Sequence, residues 1–222
     1  GISFSGGGNR AFSFGFGIAR MLRDLALLER IRISSALSGG NWLQTILAYT
    51  PTSIGDDALL APAYAPPAEI DDDHLASVPE GSALHATTTD FFAQMLEGIN
   101  DGRMQDAWKL ANRKNNLEPY GLGAQWAQLG YDAEYAAAAQ AANPGVLDGA
   151  TFHTVRGNRP YPVTVVNLMG PEALLDQQFL VASQREYTYM EITPMYSCVE
   201  GGASGTTERY RVYPGGDYNG TE

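Results

Sequence analysis

The stretch Gly1-Ile2-Ser3-Phe4-Ser5-Gly6-Gly7-Gly8-Asn9-Arg10-Ala11 indicates the fold, because it reads as a short buried strand ending in three glycines. Apolar residues at close to 3.6-residue spacing then predict a helix over residues 11–29. Residues 31–37 predict a second strand, and Ser38-Gly39-Gly40-Asn41-Trp42 turns that strand into another helix, which stops at Pro51. This order of elements indicates a right-handed parallel βαβ unit in an α/β sheet with helices on both faces.

The composition is that of an acidic globular protein. The chain has 222 residues, of which 44% are hydrophobic and 18% charged, so it is neither wholly disordered nor fibrous. Its formal net charge of −11 argues against a nucleic-acid partner, because phosphate binding needs a concentrated basic surface. The same charge argues against electrostatic recruitment to strongly anionic lipid, but leaves apolar insertion open.

Cysteine and histidine usage gives no sign of a metal centre. The single cysteine, Cys198, excludes an internal disulfide framework and a cysteine-based zinc site. The three histidines lie far apart without ligand spacing, so we expect no metal and no cofactor. No apolar run approaches the roughly 18 residues of a membrane span. The sequence does not fix the compartment, and we expect the cytoplasm or the membrane surface.

Residues 51–89 differ in character from the regular N-terminal region. Five prolines and the run Asp71-Asp72-Asp73 predict an irregular, lid-like insertion at the periphery of one domain spanning residues 1–222, and a plain solvated loop is the alternative. Beyond it, apolar periodicity predicts helices over residues 91–99, 104–113 and 131–142. Strands are then predicted over residues 162–169, 187–193 and 210–213, with a further helix over residues 172–182 between the first two strands.

The two glycine-rich turns carry the predicted chemistry. Each follows a parallel strand and opens a helix, so both lie at the sheet edge where α/β proteins bind ligands. In the first turn, consecutive glycines let unpaired backbone N–H groups face a developing negative charge. In the second, Ser38 lies on a tight strand-to-helix turn with small neighbours, which is typical of a nucleophile elbow.

A dinucleotide-binding loop is the competing interpretation of the first turn. The pattern Gly6-x-Gly8-x-x-Ala11 after a strand fits that fingerprint. The fingerprint also requires an acidic residue at the end of the second strand, and residues 34–38 contain no carboxylate. A P-loop is excluded because no Gly-Lys-Ser or Gly-Lys-Thr follows the glycines.

The same residues resemble a known family. Ser-Gly-Gly-Gly-x-Arg-Ala, followed about thirty residues later by Leu-Ser-Gly-x-x-Trp, is similar to the catalytic domain of cytosolic phospholipase A2, a branch of the patatin-like lipases. Met190-Glu191-Ile192-Thr193-Pro194-Met195-Tyr196 resembles a later segment of that branch, and Tyr161-Pro162-Val163 resembles the strand before it. The resemblance implies a patatin-like α/β fold.

The resemblance also implies a Ser–Asp dyad with specific residues. The nucleophile matches Ser38, the oxyanion-hole glycines match Gly7 and Gly8, and the phosphate-orienting arginine matches Arg10. Two aspartates are candidates for the base. Asp148 precedes the strand that it should follow, and Asp217 lacks the Ser-Gly or Gly-Gly that follows the family's aspartate. We therefore expect the chain to be an incomplete stretch of a longer protein, with the aspartate beyond Glu222.

The function implied is carboxylic-ester hydrolysis on a glycerophospholipid or related acyl lipid, by a phospholipase A2 or lysophospholipase type of enzyme. Two alternatives stay open. One is a catalytically inactive lipid-binding or scaffold protein on the same fold, and the other is an acyltransferase that uses the same serine. The partner expected is the lipid substrate, with peripheral membrane contact and without nucleic acid, and the sequence leaves the oligomeric state open.

Overall fold

The computed structural model describes residues 1–60, 65–77, 91–124, 127–170, 186–200 and 210–214. Its centre is a mixed six-stranded sheet of order β1-β2-β5-β6-β7-β8. Strands β1, β2 and β5 are parallel, and β6, β7 and β8 continue the sheet in antiparallel fashion. A separate parallel pair is formed by β3 and β4. The strands are β1 (Ile2–Phe4), β2 (Ile33–Leu37), β3 (Gln128–Gly130), β4 (Phe152–Thr154), β5 (Tyr161–Gly170), β6 (Glu186–Ile192), β7 (Tyr196–Glu200) and β8 (Tyr210–Pro214).

The helices lie mainly between β1 and β4 in the chain. They are α1 (Gly8–Asp24), α2 (Gly39–Tyr49), α3 (Asp56–Leu60), α4 (Asp72–Ala76), α5 (Phe91–Asn100), α6 (Ala107–Asn112) and α7 (Ala133–Ala142). Short 3₁₀ turns occupy Leu28–Arg30, Pro67–Glu69 and Glu118–Tyr120, and α6 continues into a π-helical turn at Arg113–Leu117. In the part of the chain that the structure describes, no helix has the length and apolar character needed to cross a bilayer.

The predicted parallel βαβ unit is confirmed. Strands β1 and β2 are adjacent and parallel, with Ile2 opposite Ser34, and α1 connects them. The helix begins at Gly8 and ends at Asp24, earlier at both ends than the predicted range 11–29. Its end is a Schellman-type turn, in which Leu27 N–H donates to the Leu22 carbonyl at 2.8 Å. Ala26 holds the left-handed position at φ 52°, where glycine is usual, so no glycine marks the end of the helix.

One apolar core joins α1 and α2 to the sheet. Leu43 of α2 is fully buried, and Gly15 of α1 lies against it so closely that a methyl group on Gly15 would overlap the Leu43 side chain. Helix α2 packs against β2 and β5, which fixes its first turn relative to the strand ends. The other main core side chains are Phe4 and Ala36 from the sheet, Phe12, Phe16 and Ala19 from α1, Ile46 and Leu47 from α2, and Leu59 and Leu60 from α3.

The predicted insertion at residues 51–89 is corrected at its start. Leu59 and Leu60 of α3 are buried in the core, so residues 56–60 belong to the packed domain. Asp56 accepts hydrogen bonds from the buried guanidinium groups of Arg156, at 3.1 Å, and Arg159. Residues 56–60 therefore do not lie at the periphery of the domain. Residues 65–77 contain a 3₁₀ turn and α4 and are largely exposed, and residues 78–89 lie outside the described part of the chain.

The later elements largely follow the predictions. Residues 162–169, 187–193 and 210–213 lie within or close to strands β5, β6 and β8, and residues 91–99 form α5. The predicted helix at residues 104–113 begins later, at Ala107, and the predicted helix at residues 172–182 lies outside the described residues. The antiparallel half of the sheet was not predicted, because strand direction depends on pairing rather than on local pattern.

Candidate active site

Ser38 lies at the turn between β2 and α2 in a backbone conformation that L-residues rarely adopt. Its φ is 54° and its ψ is −126°, and among the described residues only Ala26 is another non-glycine residue with positive φ. Ser38 is exposed, and its side chain does not cap the helix that follows. Serine is a preferred N-cap residue, so a hydroxyl that is turned away from this bond is free for another role. This is the geometry of a nucleophile elbow.

Three glycines make the close packing around Ser38 possible. A methyl group on Gly6 would lie 3.1 Å from Ser38 Cβ and 3.7 Å from Ser38 Oγ. A methyl group on Gly39 would overlap the Gly8 carbonyl, and one on Gly40 would lie 2.6 Å from the Ser5 carbonyl oxygen. The two turns are thus in direct backbone contact. Gly6 lies beside Ser38, and Gly8 lies against Gly39, the residue after it.

Two helix N-termini meet at this edge of the sheet. Helix α1 begins at Gly8 with Gly7 as its N-cap, and α2 begins at Gly39, each directly after a parallel strand. The first N–H groups of a helix lack intrahelical partners and carry partial positive charge. Neither first turn contains an acidic residue that would offset this charge. The edge is therefore suited to stabilising an anion close to Ser38.

The conformation of the first turn depends on glycine. Gly7 has φ 145° and Gly8 has φ 61°, which other residues adopt only with strain. Nothing lies within 4 Å of the position of a Gly8 side chain, so space opens beside this residue. Sequence analysis placed these glycines in a loop before the helix, whereas Gly8 is already in the first turn of α1.

Arg10 and Phe14 form an exposed pair on α1. Arg10 is exposed in the first turn of the helix, and no ion pair of Arg10 is found among the described residues. Phe14 is one helical turn further on and is 72% exposed. Residues four apart lie on the same helix face, so a cationic and an apolar side chain are presented together. A salt bridge to a neighbouring acid, the structural alternative for Arg10, is not seen in this part of the chain.

No hydrogen bond joins Asp148, the candidate base that the structure describes, to Ser38. Asp148 is exposed in a turn whose hydrogen bonds run to neighbouring backbone and to α7, where Gln140 Nε2 donates to the Ala150 carbonyl at 3.2 Å. Asp217 lies outside the described residues. Within the described ranges, no group of three or more metal-ligating side chains occurs.

Two residues that the sequence did not single out lie against the two turns or against α2. Gly39, directly after Ser38, is the first residue of α2 and lies against the Gly8 backbone, and the residue after the serine is the one that supplies an N–H donor in elbow-type oxyanion holes. The position of Gly39 directly after Ser38 was the signal by which the sequence could have identified it. Trp108 is the other residue, because its ring contacts Trp42 with centroids 5.6 Å apart and it is 50% exposed. Only tertiary packing reveals this contact, since α6 follows α2 by almost sixty residues.

Comparison with solved structures finds similarity to a lipid-degrading enzyme. Human GIVD cytosolic phospholipase A2 matches with a TM-score of 0.40 and 18% identity over 90% of this chain and 22% of that chain. The same enzyme in complex with the inhibitor methyl gamma-linolenyl fluorophosphonate and terbium chloride matches with a TM-score of 0.37 and 18% identity, over 89% and 24%. The chain thus spans about a quarter or less of the proteins it matches. No protein-family model and no curated protein matches it. At this level of similarity the function has to be argued from the site itself.

Proposed function

We propose that the protein is a serine hydrolase that cleaves the acyl ester of a glycerophospholipid or related lipid, with Ser38 as nucleophile. The observation that carries the proposal is the backbone of Ser38, an exposed serine at positive φ between a parallel strand and a helix. Such a conformation costs on the order of 1–3 kcal/mol and persists where the surrounding structure enforces it.

The chemistry assigned to the site is acyl transfer through a covalent intermediate. Ser38 Oγ attacks the acyl carbonyl carbon, and its proton passes to a carboxylate base. The backbone N–H groups of Gly7, Gly8 and Gly39 stabilise the oxyanion. The leaving alcohol departs with a proton, and water then hydrolyses the acyl-enzyme to release the fatty acid and restore Ser38. Asp217 and Asp148 stay the candidates for the base within this chain.

The lipid class is supported by exposed side chains on α1 and α6. Arg10 supplies an exposed cation in the first turn of α1, which suits a phosphate group. Phe14 and Trp108 add exposed apolar side chains on neighbouring elements. An amphiphilic substrate with an anionic head and an apolar tail matches this combination. Together with the resemblance of residues 5–11 and 37–42 to the phospholipase family, it favours a phospholipid over a small soluble ester.

The test compares the wild-type protein with Ser38→Ala, using Ser35→Ala as the matched control on the same strand. Fatty-acid release from phosphatidylcholine vesicles should fall by about 10³-fold or more in Ser38→Ala, because the covalent route is lost. A fluorophosphonate should label the wild type and Ser35→Ala once per chain and leave Ser38→Ala unlabelled. Undiminished turnover in Ser38→Ala would reject the nucleophile assignment.

The same assay separates the alternatives. Vesicle binding by a wild-type protein that neither labels nor hydrolyses would favour the inactive lipid-binding or scaffold protein. Transfer of the acyl group to an added alcohol in preference to water would favour the acyltransferase. Loss of turnover in Arg10→Ala on a phospholipid, with little change on an uncharged ester, would support the phosphate-orienting role of Arg10.

A further inference from the structure

A polar side chain in the first turn of α2 ties the Ser38 turn to the neighbouring strand. Asn41 N–H donates to the Ser38 carbonyl at 2.8 Å, which closes the turn itself. Asn41 Oδ1 accepts a hydrogen bond from Thr164 Oγ1 of β5 at 2.7 Å and a longer one from Gln44 Nε2 at 3.4 Å. One residue therefore links the nucleophile turn, the body of α2 and the strand next to β2.

The register of the sheet places Thr164 close in the sheet to the end of β2. Thr164 lies opposite Ala36, two residues before Ser38, in the parallel pairing of β2 with β5. The bond between Thr164 and Asn41 thus joins the first turn of α2 to the strand that pairs with β2. A strained backbone conformation persists only when several constraints act on it together. Among the described residues, this is the side-chain hydrogen bond that connects the first turn of α2 to the sheet.

We propose that Asn41 and Thr164 form a positioning clamp that holds the Ser38 turn at positive φ and thereby sets the reactivity of Ser38. The part of this inference that concerns reactivity rests on the proposed hydrolase function. Neither residue is assigned contact with the substrate. Their role is to fix where Ser38 Oγ stands relative to the backbone N–H groups of residues 7, 8 and 39. Small displacements matter there, because a misplacement of about 1 Å can cost up to 10²-fold in rate.

The surroundings of Thr164 allow its hydrogen bond to Asn41 to be removed without a steric clash. Thr164, Gln44 and Thr45 line a cavity of about 90 Å³ between α2, β5 and β6. Gln44 is only 2% exposed, and its Oε1 has no hydrogen-bond partner among the described residues. Valine has nearly the shape of threonine, so Thr164→Val removes the donor without creating a clash. Thr164→Ser keeps the hydroxyl and serves as the rescue variant.

The experiment measures local opening and reactivity in the same three proteins. Hydrogen exchange of peptides covering residues 38–44 reports on the turn whether or not the protein is an enzyme. We expect Thr164→Val to exchange faster there by about tenfold and Thr164→Ser to stay close to the wild type. The rate of fluorophosphonate labelling and kcat should fall by about tenfold in Thr164→Val, while KM stays unchanged and Thr164→Ser restores both.

Thr45→Val is the matched control, because it removes a hydroxyl from the same cavity wall without touching the bond to Asn41. An equal effect of Thr45→Val and Thr164→Val would overturn the clamp. Unchanged exchange in Thr164→Val, or failure of Thr164→Ser to restore it, would overturn it as well. Faster exchange in a protein whose wild type neither labels nor hydrolyses would support the clamp as the holder of the turn and reject the hydrolase function.

Discussion

Ser38 directly precedes the first residue of α2, and Ala26 lies in the turn that follows the last residue of α1. They are the two non-glycine residues with positive φ among the described residues. Ala26 ends α1, at φ 52°, in a turn closed by backbone hydrogen bonds to Arg23 and Leu22. Ser38 starts α2, at φ 54°, against a glycine turn at the sheet edge. Glycine would relieve the strain at either position. Only the Ser38 turn gains something by keeping its side chain, which is an exposed hydroxyl.

The largest expected effect comes from adding a methyl group where the two glycine turns touch. In Gly40→Ala the new Cβ would meet the Ser5 and Phe4 carbonyl oxygens at 2.6 and 2.7 Å, and backbone atoms cannot yield cheaply. We expect a loss of about 3 kcal/mol in the free energy of unfolding. Esterase activity should fall together with it. Urea unfolding of the wild type and of Gly40→Ala measures this loss.

The control for this prediction is Gly17→Ala in α1. Gly17 is exposed, and nothing lies within 4 Å of an added Cβ. Alanine in a helix interior is more stable than glycine by about 0.5–1 kcal/mol, so this variant should be stabilised. If both substitutions changed stability alike, the close contact between the turns would be refuted.

The second prediction concerns the oxyanion turn. Gly7→Ala places a side chain at φ 145° with its Cβ 3.2 Å from Ala11 Cβ, so the turn must shift. We expect esterase turnover to fall on the order of 10²-fold, comparable with the loss of one oxyanion donor. The measurement is kcat on a lipid ester, with folding checked by circular dichroism. Full activity in a folded Gly7→Ala protein would contradict the assignment of Gly7.

The third prediction separates strain from chemistry at Ser38. Ser38→Gly should raise the free energy of unfolding by about 1 kcal/mol relative to Ser38→Ala, because only glycine relieves the positive φ. Both variants should lack esterase activity. Ala26→Gly should give a gain of similar size and keep full activity, since this turn lies at the other end of α1. Equal stability of the glycine and alanine variants at residue 38 would mean that the turn is not strained.

The smallest expected effect is a pH dependence of stability that arises far from both turns. Burial lowers the pKa of His153 on β4 below its ordinary value of 6.5, and its Nε2 has no hydrogen-bond partner among the described residues. The unfolded chain therefore binds a proton at His153 more readily than the folded one. Stability should fall as the pH drops through 6.5. Unfolding curves at pH 7.5 and pH 5.5 should converge in His153→Leu, and an unchanged pH dependence would exclude His153 as its source.

The parts of the fold that could be predicted are those whose signals are local. Strand β1, helix α1 and the turn at Ser38 follow from apolar spacing and from glycines next to a serine. The parallel pairing of β1 and β2 follows from the helical crossover between them. The early end of α1 was missed because Ala26 takes a place that glycine usually marks. The burial of α3 was missed because prolines and acids around it suggested a loop, whereas Arg156 and Arg159 come from a distant segment to bind Asp56.

The sequence by itself determined the identity and spacing of the candidate catalytic groups, because nucleophile, oxyanion glycines and Arg10 lie within two short strand-to-helix turns. It also determined the acidic charge and the α/β class. Only the tertiary structure decided that the two turns touch through Gly39 and Gly40, that Trp108 lies against Trp42, and that Thr164 reaches Asn41. The physical reason is that these contacts join residues far apart in the chain. Their distances depend on how β2, β5 and the helices pack, and no local pattern encodes that.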